Sequence, residues 1–415
     1  MKTFVLMAGR VVTVDPIRST EQNRLGALDD AGVLVEGGVI QLVAPRAEIL
    51  ARAAGAPVLL DEPRAVLTPG LCDAHTHAAF AGSRHGEYAA RLGGASYEDI
   101  ARAGGGILST RAAVQAAAPI ELARLLVDRL TRMAQLGVTT VEVKSGYGLD
   151  AENEQKQLEA IAEAARRDDL PRVVGTYLAL HAIPKEEAAR RDAYVDAAIA
   201  QVGAFAARGL MRFVDAYVDA NAFTAAEAER LGNAARSAGL GIRLHVGQFA
   251  DIGGAALAAR LGAASADHLE NVGARDVEAL ARAGTRAVLL PVASFTLAQA
   301  PPPVDLLRSA GVPLVVASDA NPGTAPTESL PLALALAVRL YGLRPDEAIA
   351  GATREAAHSL GLGDRVGVVK KGFAADLVLW DLPHEHAIIQ PWGTPKTKLV
   401  MRQGRVLVPS GAPSV

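Results

Sequence analysis

The chain has a single cysteine, Cys72, among its 415 residues, no marked excess of either charge, and no apolar run of membrane length. One thiol excludes an internal disulfide and any zinc knuckle built on cysteines. A net charge of −3 gives no reason to expect attraction to nucleic acid or to an anionic membrane. The longest apolar run, near Leu330 to Val338, contains Pro331 and falls well short of the about 20 residues that a spanning helix needs. The apolar stretch within Met1–Arg10 is too short for a signal-peptide core. It continues into Val11-Val12-Thr13-Val14-Asp15 and reads as a first strand. These absences predict a cytoplasmic protein, and Cys72 itself reads as a small buried residue.

Half of the residues are apolar and 21% are charged, which suits a globular protein with an ample core. Both ends are strand-rich and helix-poor. Gly32–Ile40 and Ala56–Leu60 read as strands near the start, and Asp376–Trp380, Lys398–Met401 and Gly404–Val408 near the end. They predict one small composite β domain, a β-sandwich, made from residues 1–67 and 360–415. Between them, over 68–359, apolar runs of strand length alternate with Ala-rich helical stretches. Candidate strands end near His77, Ser145, His181, Val218, Val246, Leu269, Pro291 and Asp319. Helix-like segments lie at 120–136, 151–167, 224–238, 254–261, 274–283 and 303–310. Eight strands alternating with helices predict an α/β fold, the (β/α)₈ barrel. The segment from Ala78 to about Pro119 is longer than an ordinary connection and contains Gly104-Gly105-Gly106, which suits either a mobile functional loop or a surface insertion.

In such a barrel the active site lies at the carboxyl ends of the strands. Those ends carry His75 and His77, then Glu142, Lys144 and Tyr147, then His181, His245, Asp267 with His268, and Asp319. His75 and His77 are one residue apart, so both imidazoles of a strand can meet one point. Any one of these histidines alone reads as a core residue; their concentration at strand ends points to a metal site. Imidazole and carboxylate donors suit zinc, iron or manganese. A cation there lowers the pKa of its water toward neutrality. A free oxygen of Asp319 can accept the proton and pass it on. His268, or His181, can polarise the carbonyl under attack.

Several stretches resemble a known family. Pro69-Gly70-Leu71-Cys72-Asp73-Ala74-His75-Thr76-His77 resembles the first-strand signature of the amidohydrolase superfamily, and Ala317-Ser318-Asp319 its last-strand aspartate. Within it, the chain is similar to the imidazolonepropionases from about residue 66 onward. The similarity lies in Phe80–Arg84, Gly104–Thr110, Glu142–Leu149, His181–Pro184, Ser265–Glu270 and Ser318–Thr324. The resemblance implies one Zn²⁺ or Fe³⁺ per subunit on His75, His77, His245 and Asp319. It implies a small-molecule substrate, 4-imidazolone-5-propanoate, whose cyclic amide is hydrolysed to N-formimidoyl-L-glutamate in the third step of histidine degradation. Substrate contacts carry over onto Arg84, Tyr147, His181, Asn321, Gly323 and Thr324, and the resemblance implies a homodimer. The residues agree in kind: a guanidinium at Arg84 can grip a carboxylate through two parallel hydrogen bonds, and glycines around Tyr147 let the backbone aim a phenol inward.

Two positions depart from the pattern. Gln248 stands where related deaminases and some relatives place Glu; it can bind substrate but cannot carry a proton. Proton transfer therefore falls to Asp319, assisted by His268. Val218-Asp219 replaces a common Cys-Glu pair, and Asp219 receives no role. Lys144 as a carboxylated ligand of a two-metal site is disfavoured by its Ser-Gly-Tyr context. The competing readings are a purine or triazine-type deaminase, which would release ammonia, and a metal-binding barrel without catalysis.

Overall fold

The computed structural model describes residues 3–53, 55–94, 99 and 105–408. Four strands open the chain: β1 (Thr3–Val12), β2 (Ala27–Glu36), β3 (Val39–Pro45) and β4 (Val58–Pro69). Eight follow in alternation with helices: β5 (Leu71–Asp73), β6 (Val138–Lys144), β7 (Arg172–Leu180), β8 (Phe213–Val218), β9 (Gly241–Val246), β10 (Ser265–His268), β11 (Arg286–Leu289) and β12 (Leu314–Val316). Three more end it: β13 (Leu377–Trp380), β14 (Thr397–Arg402) and β15 (Arg405–Val408).

Strands β5 to β12 pair in chain order, every pair parallel. Their faces are buried inside and out, as expected when helices cover a parallel sheet. Just past the last ladder residues of β5 and β12, a parallel bridge joins Thr76 to Ala320. There Asp319 N donates to the His75 carbonyl and His77 N to that of Ala320, each at 3.0 Å. The barrel is thus sealed by the segments that carry the candidate metal donors.

The seven remaining strands form a second sheet in the order β15-β14-β13-β4-β1-β2-β3. Strand β4 joins the two ends of the chain: it runs parallel to β1 and antiparallel to β13, with Leu67 opposite Leu379. Leu6, Ala8, Val33, Leu67, Leu377 and Met401 fill one of its cores.

The expected strand at Gly32–Ile40 is in fact two. Gly37 and Gly38, with φ of 60° and 82°, turn the chain back between β2 and β3. That left-handed backbone costs glycine little. The long segment after Ala78 is not a plain loop either: it holds helices His85–Leu92 and Ile107–Ala116, while Gly104 lies outside the described residues. The apolar run at 330–338 is most of the helix Leu330–Tyr341, with Pro331 in its first turn, where a missing N–H costs nothing. Among the described residues no helix is long and apolar enough to cross a membrane. Cys72 packs among Ala74, Val174 and Phe213 inside the barrel, and burial pushes its thiol up to about 12.

Candidate active site

At the carboxyl end of the barrel, ring nitrogens of His75, His77 and His245 come together within 4.8 Å of one another. His77 Nε2 lies 3.3 Å from His245 Nε2, and Asp319 Oδ1 lies 3.6 Å from His75 Nε2 and 3.4 Å from His77 Nε2. Four donors drawn from the first, fifth and last barrel strands therefore face one point. The His75 Nε2 is fully buried and has no hydrogen-bond partner. A buried polar atom left without a partner is costly, and a cation among these donors satisfies it. The residues fit a single metal ion.

Behind the histidines stand carboxylates. Asp267 Oδ2 accepts from His75 Nδ1 at 2.6 Å and Asp215 from His245 Nδ1 at 3.1 Å. A proton fixed on Nδ1 leaves the Nε2 lone pair aimed at the metal position. Burial, together with neighbouring cations, holds His75 and His77 well below the usual histidine range. Burial also lowers His245, against the pull of Asp215. All three are held as neutral imidazoles, the form that binds metal.

The carboxylates are themselves balanced. Lys144, with no solvent exposure, donates to Glu142 at 2.9 Å and to Asp215 at 2.8 Å and lies 4.0 Å from Asp267. Burial opposes its charge, yet Asp215 and Glu142 keep its pKa above the usual lysine value. Arg243, equally buried, approaches Asp267 to 3.6 Å and donates to the Ala74 carbonyl at 2.8 Å. Lys144 is thus an ion-pair centre and not a ligand. On the other side, Asp73 accepts from Ser318 N and Oγ, fixing the segment that presents Asp319.

The site includes strained backbone. Asp319, His268 and Leu269 have φ of 56°, 81° and 73°, left-handed conformations that persist in non-glycine residues only where surroundings enforce them. Asn321 Nδ2 donates to the Asp319 carbonyl at 2.7 Å and its Oδ1 accepts from Gly323 N and Thr324 N, which holds the Asp319 turn. His268 Nδ1 faces Glu270 Oε2 at 3.7 Å. Burial lowers the His268 pKa, but Glu270, with Asp319 and Asp267, outweighs it and the result lies above the usual value. Burial pushes the Asp319 carboxyl up to about 7.

Above this floor a cleft opens toward solvent. Of the residues singled out in the sequence, His77, Arg84, Tyr147, His181, His245, Gln248, His268, Asp319, Asn321 and Thr324 line it. Gly323 does not; it lies against Arg84, where any Cβ would strike the guanidinium. His75 lies beneath the surface. His181 Nδ1 is 2.6 Å from the Gly146 carbonyl, so Nδ1 donates and Nε2 is left to accept. Gln248 Oε1 accepts from Tyr217 at 2.8 Å, which leaves its amide N–H groups for a ligand.

Several contributors were not assigned from sequence. Ile107, Tyr217 and Phe249 also line the cleft. Asp219, expected to do nothing, accepts from Phe249 N and Ala250 N and holds the turn that carries Gln248. Glu154 and Gln157, in the helix Ala151–Ala165, bind the backbone N–H groups of Gly146, Tyr147, Gly148 and Leu149. For Asp215 a signal existed: a carboxylate inside the apolar run Phe213–Val218, sharing a strand face with Tyr217.

The model of the amidohydrolase family matches residues 66–407. A protein of Shewanella loihica named imidazolonepropionase is 43% identical over 399 residues, which cover 96% of this chain and 97% of that one. One of Shewanella denitrificans, with the same name, is 44% identical over 92% of this chain and 94% of its own. Among solved structures, a triazine hydrolase variant superposes with a TM-score of 0.76 at 19% identity, covering 100% of this chain and 96% of that chain. A zinc-bound adenosine deaminase from Xanthomonas campestris gives 0.69 at 21%, covering 98% and 93%. At such identities the last two speak for the shared fold alone. The chain belongs to the amidohydrolase family, and within it to the imidazolonepropionases.

Proposed function

We propose that this chain hydrolyses the cyclic amide of 4-imidazolone-5-propanoate to N-formimidoyl-L-glutamate, a step of histidine degradation. The observation that carries the reading is the convergence of three Nε2 atoms and Asp319 Oδ1 at the floor of a cleft that Arg84 lines. Water adds across the ring amide: its oxygen joins the carbonyl carbon, the C–N bond breaks, and a proton goes to the leaving nitrogen.

His75, His77, His245 and Asp319 would hold one zinc or ferric ion, which when bound supplies Lewis acidity for a coordinated water and for the ring carbonyl. Asp319 offers one oxygen to that position and keeps the other to take the proton from water and return it to the ring nitrogen. His268 donates to the carbonyl oxygen as charge develops there. Arg84 binds the propionate, and Tyr147 and His181 flank the ring. His181 Nε2 accepts a ring N–H, consistent with its Nδ1 being committed to Gly146. Asn321, Gly323 and Thr324 shape the wall beside Arg84. Gln248 contributes amide hydrogen bonds only, so the proton route runs through Asp319. A homodimer in the cytoplasm completes the reading.

The test is incubation of the purified protein with 4-imidazolone-5-propanoate, following loss of the ring chromophore together with metal content. Ring loss abolished by a chelator and restored by zinc or iron is the expected result. Ammonia release from a purine or triazine ring, with the imidazolone left intact, would overturn it.

A further inference from the structure

Arg84 caps the helix His85–Leu92, and its guanidinium is nearly buried at the rim of the cleft. Its Nε donates to Glu87 Oε2 at 2.8 Å. Among the described residues its side-chain hydrogen bonds run through Nε alone, so Nη1 and Nη2 are left together as a fork. The other oxygen of Glu87 accepts from Gly106 N at 2.9 Å and from Ser109 Oγ at 2.8 Å. Ile107, between those two anchors, lines the cleft. On the opposite side, Gly323 lies so close to the guanidinium that a Cβ there would push it out of place.

We propose that Glu87 is a specificity-determining positioning residue. It clamps Arg84 to the 106–109 turn, and Gly323 backs the guanidinium, so that Nη1 and Nη2 face a carboxylate on the ligand's side chain. The inference rests on the reading of Arg84 as the carboxylate-binding group and adds what holds it there. An arginine side chain has many rotamers; ordering it before the ligand arrives removes that entropy cost from binding. A carboxylate is the one side chain that can do this here. It has two oxygens, one for Nε and one for the turn, and no N–H to oppose either donor. The clamp also absorbs part of the arginine's charge, so selection rests on the geometry of the fork more than on long-range attraction.

The experiment is calorimetric binding of imidazole-4-propanoate and of 4-methylimidazole to the metal-loaded protein. Both rings meet the metal alike, and neither can be opened, so their affinity ratio isolates the carboxylate. In Glu87→Gln the amide can accept on one side only and sets N–H against N–H on the other. Affinity for the propanoate is expected to fall about tenfold, with 4-methylimidazole unchanged. Ser109→Ala, which releases only the turn, is expected to act in the same direction and less strongly. Equal weakening of both ligands in Glu87→Gln, or no change in either, overturns the proposal. So does a wild-type protein that binds the propanoate no better than the methyl compound. Ring opening does not enter this measurement: retained discrimination without hydrolysis of 4-imidazolone-5-propanoate would sink the proposed reaction and leave the clamp standing.

Discussion

At the floor of the cleft, His75 and His245 are each backed by a buried carboxylate, and those carboxylates share Lys144. At the rim, Arg84, Gln248 and Asn321 are held by hydrogen bonds that Glu87 and Asp219 accept and that Asn321 itself donates. The floor is built from strand ends whose positions the barrel ladder dictates. Each of its charges is balanced within a few ångströms and away from water, so that altering one unbalances several. The rim is built from loops, where a change in one side chain stays local. One framework can thus keep its chemistry while the groups that read the substrate vary.

Breaking the floor has the largest expected effects. Asp319→Asn keeps the shape but cannot take a proton, and a drop in kcat of about 10² to 10⁴-fold is expected, with an unchanged circular dichroism spectrum. Near-normal turnover would place the proton elsewhere. Lys144→Met leaves Glu142, Asp215 and Asp267 crowded around an uncharged stem. Urea denaturation is expected to show a loss of about 3–5 kcal/mol, partly recovered when Glu142 is also made Leu. A loss no greater than that from Thr324→Ala at the rim would erase the distinction between the two regions.

Acid should act on the same buried layer. Burial lowers the His181 pKa to about 4 from an ordinary 6.5. Between those values the unfolded chain holds the extra proton and the folded one does not. Stability is therefore lost as pH falls through that window, by on the order of 3 kcal/mol if His181 acts alone. His181→Asn, which preserves the donor to Gly146, should flatten that part of a urea-midpoint profile; an unaltered slope would assign it to other groups. The smallest effect is expected from Gln248→Glu, which restores a titratable group at the rim: less than about tenfold in kcat, with a new limb in the pH profile. A gain of about 10²-fold would instead move proton transfer to position 248.

Strand periodicity and the strand-end rule place His75, His77, His245 and Asp319 at one end of the barrel among several other candidate donors, and the resemblance singles these four out. The rim was legible mainly through resemblance. Asp219 was passed over because its role is to hold a turn some thirty residues downstream in the chain, at Phe249 and Ala250. Glu87 gave no signal, since an acidic residue in the first turn of a helix has an ordinary explanation in the helix dipole. The turn at Gly37-Gly38 was read through because strand-like residues flank it on both sides.

By itself the sequence determined the alternation of strands and helices, and with it which donors would stand at one end of a barrel, because local periodicity and burial act over a few residues at a time. Only the tertiary structure decided that Lys144 is an ion-pair centre, that Asp215 and Asp267 aim the histidines, and that Glu87 and Gly323 hold Arg84 between them. Those roles depend on distances between atoms far apart in the chain, and such distances are set only when the barrel closes between Thr76 and Ala320.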